Sequence, residues 1–122
     1  MRKDQEAGLP AGWNELIDQR DVAKLIEQSK QKPVGIFKHS IRCGISTMVK
    51  YQLEEQWDFD PEEIDFYYLD LITHRPTSNE VAAQTGVTHQ SPQVIILDKG
   101  KVVHHSSHHA INVRDMRAAL SS

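Results

Sequence analysis

Apolar residues fall along this chain in short blocks, and their spacing switches between a helical and a strand period. Over residues 21–31, Val22, Leu25 and Ile26 recur at intervals of three and four, with Ser29 on the same face. That spacing predicts a helix, with Asp18 or Asp21 as its cap and Pro33 as its stop. Val34-Gly35-Ile36-Phe37-Lys38-His39 is short and carries β-branched and aromatic members. Its length and the break after it predict a buried strand rather than a helix. Residues 40–44 form a turn. Helical spacing returns with Ile45, Met48, Val49, Leu53 and Trp57, from a start near Arg42 or Cys43. A charged loop containing Asp60-Pro61 follows, and residues 64–71 then have strong β character. Pro76 opens a short helix, residues 79–85 continue it, and Gly86 is suited to end it. Residues 94–97 are a third strand. Asp98-Lys99-Gly100-Lys101 reads as a tight turn into an antiparallel partner at 102–105. Asn112 caps a last helix whose apolar face is Val113, Met116, Ala119 and Leu120.

The order is helix, strand, helix, strand, helix, strand, strand, helix. Strands joined through a helix are expected to be parallel with a right-handed crossover, and the terminal hairpin must be antiparallel. The expectation is an α/β fold of the thioredoxin-like kind, a mixed four-stranded sheet with helices on both faces. Residues 13–17 read equally as a short strand or as a turn holding two apolar anchors. Residues 1–12 are expected to be a loose, turn-rich lead-in, and residues 13–122 a single domain.

Composition narrows the function. Hydrophobic residues make up 39% of the 122 and the net charge is −3, which suits a globular domain and argues against nucleic-acid or anionic-membrane partners. No apolar run approaches the roughly 18 residues of a membrane span, and the first residues lead into no apolar signal core. There is one cysteine, so the chain can hold neither an internal disulfide nor a multi-cysteine zinc site. A lone reduced thiol points to the cytoplasm.

That cysteine, Cys43, follows a predicted buried strand and stands at the start of a helix. The first helical turn presents unpaired amide groups and the positive end of the dipole, and both favour a thiolate. Arg42 and Lys38 are expected to add positive charge. Three residues on is Ser46, so Cys43-Gly44-Ile45-Ser46 is a one-thiol version of a Cys-x-x-Cys arrangement. Such a site forms mixed disulfides that an external thiol must resolve. Ser46 has two readings of equal weight: a hydrogen-bond donor to the Cys43 thiolate, or a residue that only caps or pads the first turn. For Cys43 itself the competing reading is a buried, inert thiol. Ser91-Pro92 precedes the third strand. In a thioredoxin-like fold that is the place of a cis proline facing the cysteine, which leaves the Ser91 backbone free to pair with an extended substrate.

These residues carry a resemblance. Phe37-Lys38-His39-Ser40-Ile41-Arg42-Cys43-Gly44-Ile45-Ser46, then Arg75-Pro76-Thr77-Ser78-Asn79, His89-Gln90-Ser91-Pro92-Gln93, Gly100-Lys101-Val102-Val103 and His105-Ser106-Ser107-His108 together resemble the YtxJ-like family, the monothiol bacilliredoxins. The resemblance covers nearly all of the chain after Trp13. It implies a thioredoxin-fold enzyme that removes bacillithiol, a low-molecular-weight thiol, from protein mixed disulfides, with bacillithiol as co-substrate and no resident cofactor. Cys43 matches the family nucleophile, Ser46 the place of an absent resolving cysteine, and Pro92 the cis proline. Gly44 stands where the family commonly has proline, which loosens the first helical turn. For Arg42 and Lys38 the resemblance allows a role in attracting the carboxylates of bacillithiol, behind the plainer reading of a solvated basic patch. The implied partners are bacillithiol-modified client proteins, and a small thiol or reductase for recycling.

Seven histidines are present, four of them within residues 104–109. A surface strand edge and loop is the expected reading for that cluster, ahead of a metal site, because neighbours on a strand point to opposite faces. His39 and His89 are expected to pack at strand ends, with a base for the thiol as the alternative. Two further functions compete with exchange. One is a non-catalytic binding or redox-sensing module. The other is a monothiol glutaredoxin-like iron–sulfur carrier, which needs a cluster bridged between two chains.

Overall fold

The computed structural model describes residues 12–121. Its elements are β1 (Trp13–Glu15), α1 (Asp21–Gln28), β2 (Val34–His39), α2 (Gly44–Gln56), β3 (Asp65–Asp70), α3 (Arg75–Thr85), β4 (Gln93–Asp98), β5 (Lys101–Ser107), a short 3-10 turn (His108–Ala110) and α4 (Val113–Ser121). The expected lead-in lies outside the described residues apart from Gly12.

The sheet has five strands in the order β1-β3-β2-β4-β5, which corrects the expected four. The additional strand is β1, which pairs parallel to β3 with Trp13 opposite Phe66. Three residues are too few to show an alternating pattern, so only the pairing partner reveals the strand. The parallel pair β2–β3 and the antiparallel hairpin β4–β5 are as expected. β4 is a correction: it follows β3 through α3, yet it runs antiparallel to β2, so the rule for helix-joined strands holds for β2 and β3 but not for β4. Lys99 and Gly100 both adopt positive φ in the β4–β5 turn, the backbone that matches a tight hairpin to strand twist.

The ends of the helices follow local chemistry. Asn112 caps α4 by accepting the Asp115 N–H at 2.8 Å. Gly86 ends α3 with φ 75°. Neither Asp18 nor Asp21 caps α1 with its side chain; the residue before the helix is Arg20, and Asp18 is folded onto the Arg20 amide and guanidinium. α1 stops three residues before the expected end. Ser29 Oγ donates back to Ile26 O at 2.6 Å and accepts the Gly100 N–H at 3.0 Å, tying this turn to the hairpin.

Two cores cover the sheet. Trp13, Phe37, Val49, Leu53, Phe66 and Met116 fill the side under α2 and α4. Val22, Leu25, Ile36, Leu69, Val81 and Ile95 fill the side under α1 and α3. Phe66 is the hub of the first, with ring centroids of Trp13 and Trp57 at 4.8 and 4.5 Å. Gly35 makes that close packing possible: a Cβ there would lie 2.6 Å from Phe66 Cδ1. Phe66 is fully buried and has no room to retreat, and overpacking of this kind costs about 1–3 kcal/mol. Gly35→Ala should therefore lower stability by about 2 kcal/mol, read as a lower urea midpoint at unchanged denaturant slope.

Candidate active site

β2 delivers the chain to the site. All six of its residues are buried, and it ends at His39, after which residues 40–43 turn into α2. Cys43 is the last non-helical residue, with φ −109° and ψ 118°. Its N–H donates to Ser40 O at 3.2 Å. Its carbonyl accepts the N–H and the hydroxyl of Thr47 at 3.1 and 3.3 Å. The backbone of the cysteine is thus held at both ends, while its side chain stays partly exposed. No side chain caps α2, that of Cys43 included, so the first-turn amides have no side-chain cap. The helix begins one or two residues later than its sequence suggests, with Gly44 as its first residue. A Cβ at Gly44 would meet nothing within 4 Å, so packing does not demand glycine there.

Across from the thiol, the Ser91–Pro92 peptide is cis, as expected. Cys43 and Ser91 line one open pocket of about 430 Å³ with Ser40, Arg42, Leu71, Ile72, Arg75 and His89. The structure therefore brings together Cys43, Arg42 and Ser91 from the expected set. Pro92 is buried beside them, and Gly44 follows Cys43 at the helix start.

Two expected residues behave differently. Ser46 does not serve Cys43. It is fully buried, its Oγ lies 2.7 Å from His39 Nδ1, and it accepts the Ser40 N–H at 3.0 Å. It ties the strand end to the helix. Lys38 adds no charge to the surface beside the thiol, and it is no solvated patch. Strand alternation turns it to the α3 side, where it is fully buried. Its Nζ donates to Ser78 O at 3.1 Å and meets His89 Nδ1 at 3.2 Å. No carboxylate of the described residues pairs with it. Burial lowers its pKa from 10.5 to about 8.

The histidines separate into packing and pocket groups. His39 is buried, with its ring against Phe37 and Tyr68 at 5.8 and 5.5 Å; burial, with Lys50 nearby, lowers its pKa. That is the expected strand-end packing. His89 instead lines the pocket, and burial, then Lys38 and Arg75, lower its pKa. His104 is half-buried while His105 is exposed, as alternation on β5 requires. Among the described residues no three His, Cys, Asp or Glu side chains are grouped to hold a metal ion. No helix among them is long and apolar enough to cross a membrane.

Arg75, Leu71 and Ile72 join the pocket without having been singled out as site residues. They come from the end of β3 and the start of α3, more than 25 residues from Cys43 in sequence. The one available signal was Arg75-Pro76 at a helix start. Ile41, on the turn before α2, and Ile45, Met48 and Tyr51, along that helix, are exposed.

A thiol at a strand-to-helix junction, facing a cis proline in this sheet, defines a thioredoxin-fold protein, and the absence of a second cysteine makes it a monothiol redox protein. The chain belongs to the monothiol bacilliredoxin family: the family model "Monothiol bacilliredoxin BrxC" matches residues 14–116. Among solved structures it is similar to a candidate oxidoreductase with a thioredoxin fold, at 30% identity and TM-score 0.73, covering 88% of this chain and 92% of that one. It is also similar to thioredoxin f from spinach chloroplast (20% identity, 90% and 94% coverage, TM-score 0.66). A third is Fasciola hepatica thioredoxin (24% identity, 88% and 96% coverage, TM-score 0.57). The last two show the fold alone.

Lys38 gives a pH signature. Between pH 8 and 10.5 the unfolded chain binds a proton that the folded chain has lost, so stability rises with pH across that window and this contribution is flat below it. Lys38→Met should remove the slope. The gap between the wild-type and variant pH-stability curves should change by about 3 kcal/mol across the window, measured by urea unfolding at each end.

Proposed function

We propose that this protein removes bacillithiol from protein mixed disulfides by one thiol exchange at Cys43. The observation that carries the reading is the single thiol, backbone-fixed at the start of α2 and partly exposed in a pocket it shares with Ser91, in a chain of the monothiol bacilliredoxin family. The Cys43 thiolate attacks the bacillithiol sulfur of the modified client. A Cys43–bacillithiol disulfide forms, the client–bacillithiol disulfide breaks, and the client cysteine leaves as thiolate with the electron pair. One disulfide is exchanged for another, so no external oxidant or reductant enters this step. A second thiol, small or carried by a reductase, then attacks the bacillithiol-bearing disulfide and restores Cys43.

The surroundings suit each part of that step. Cys43 stands at the N-terminus of α2, whose first-turn amides no side chain caps, the kind of helix end used for thiol exchange. The backbone at Ser91 offers an extended edge to the client chain, and the exposed Ile41, Ile45, Met48 and Tyr51, on the turn before α2 and along that helix, offer apolar area for docking a folded client. With no second cysteine, the mixed disulfide cannot be resolved within the chain.

Intact-mass analysis of the reduced protein mixed with a bacillithiol-modified client tests this. The expected result is transfer of one bacillithiol onto the wild type with release of free client, and none onto Cys43→Ala. Absence of transfer from a thiol that alkylates rapidly would overturn the bacillithiol reading while keeping a reactive site. Absence of both would show an inert thiol.

A further inference from the structure

The pocket beside Cys43 holds positive charge and no carboxylate. Arg42 enters from the β2–α2 turn and Arg75 from the first residue of α3; both are exposed. No carboxylate of the described residues lies within ion-pair distance of either guanidinium. Asp70, the nearest acid in sequence to Leu71 and Ile72, is folded onto its own turn, accepting from Thr73 Oγ1 at 2.9 Å and from the Ile72 N–H at 3.2 Å. Ser91 lines the same pocket, and its Oγ is buried without a hydrogen-bond partner. A buried orphan hydroxyl is costly unless something completes it.

His89 completes the arrangement through its tautomer. A lysine ammonium has three donors and no acceptor, so Lys38 Nζ, 3.2 Å from His89 Nδ1, makes that nitrogen the acceptor. The neutral ring then carries its proton on Nε2, at the edge away from Lys38, and the imidazole lines the pocket as a donor. Protonating Nδ1 would place two cations in contact, which holds the ring neutral. The charged groups facing His89 are Lys38 from β2 and Arg75 from α3, both cationic; Ser78 of α3 contributes a hydroxyl 3.4 Å from Nδ1.

We propose that this pocket selects thiols that carry carboxylates, with Arg75 and His89 as specificity-determining residues, Arg42 as a supporting cation and Lys38 as the positioning residue that fixes the His89 tautomer. This rests on the exchange reading above and assigns which part of the mixed disulfide lies in the pocket: the small thiol, with the client outside it. Guanidinium groups match carboxylates in geometry as well as charge. The Ser91 hydroxyl and the His89 Nε2–H add two directed donors.

The test compares two mixed disulfides of one client, formed with bacillithiol and with its methyl ester, whose carboxylates are masked. Transfer rates to Cys43 are read by intact mass. Each is normalised to the rate at which dithiothreitol reduces the same disulfide. The wild type should favour the free acid by about tenfold, as expected for charged hydrogen bonds, and the preference should shrink as salt rises. In Arg75→Gln the ratio should fall toward one; because Arg75 is exposed, this variant tests the pocket without disturbing the core. His89→Leu should also lower the ratio, and His89→Gln, which returns an amide N–H near the place of Nε2–H, should restore part of it. In Lys38→Met the contact that keeps His89 Nδ1 unprotonated is gone, so the ratio should gain a pH dependence, rising toward acid as the imidazole takes a proton more readily than in the wild type.

Equal wild-type rates for acid and ester would overturn the selection and leave bacillithiol exchange standing. An unchanged ratio in Arg75→Gln would overturn the assignment of that residue. No transfer from either disulfide would remove both readings together.

Discussion

The structure depends on a strand that is buried on both faces yet ends in two polar residues. β2 lies between β3 and β4 in the middle of the sheet, with Ile36 and Lys38 facing one core and Phe37 and His39 the other. A polar group taken out of water must find partners or cost stability. Lys38 finds them in α3 and in the loop before β4, through Ser78 O and His89 Nδ1. His39 finds its partner in α2, through Ser46 Oγ. The same two residues that terminate the strand therefore bind together the three segments that surround the thiol. The interactions needed to bury Lys38 and His39 also set the pocket.

This explains the role of Ser46 in a one-thiol site. Its position three residues after Cys43 is where a second sulfur would resolve a mixed disulfide within the chain. Here that position is fully buried and committed to the strand end. The helix start keeps its backbone amides and Cys43 keeps its partial exposure, but the first turn holds no second sulfur. In the proposed exchange, a mixed disulfide at Cys43 therefore waits for an outside thiol.

The site also divides by chemistry. The turn before α2 and the helix itself leave Ile41, Ile45, Met48 and Tyr51 open to solvent. The pocket at Cys43 is cationic and polar, with Arg42, Arg75, His89 and Ser91. A mixed disulfide between a protein and a small thiol has the same asymmetry, a large surface on one sulfur and a compact polar group on the other. The two sets of residues suit the two halves of the substrate proposed above.

Local signals determined much of this protein. Period and length marked α1 to α4 and β2 to β5, because helices and the longer strands repeat their faces within a few residues. Asn112 and Gly86 announced helix ends through their own conformational chemistry, and the lone Cys43 and Ser91-Pro92 located the centre of the site. Only the tertiary structure decided what depends on a distant partner. β1 is a strand because β3 lies beside it; three residues carry no period of their own. Lys38 and Arg42 read alike as basic residues near a thiol, yet strand alternation buries the first under α3 while the turn exposes the second. Ser46 faces His39 because helix α2 crosses the end of β2 at that point. Arg75 reaches the pocket because the β3–α3 connection ends on the same edge of the sheet. Residue type sets which interactions a side chain can make, but the packing of segments far apart in sequence sets which of them it does make.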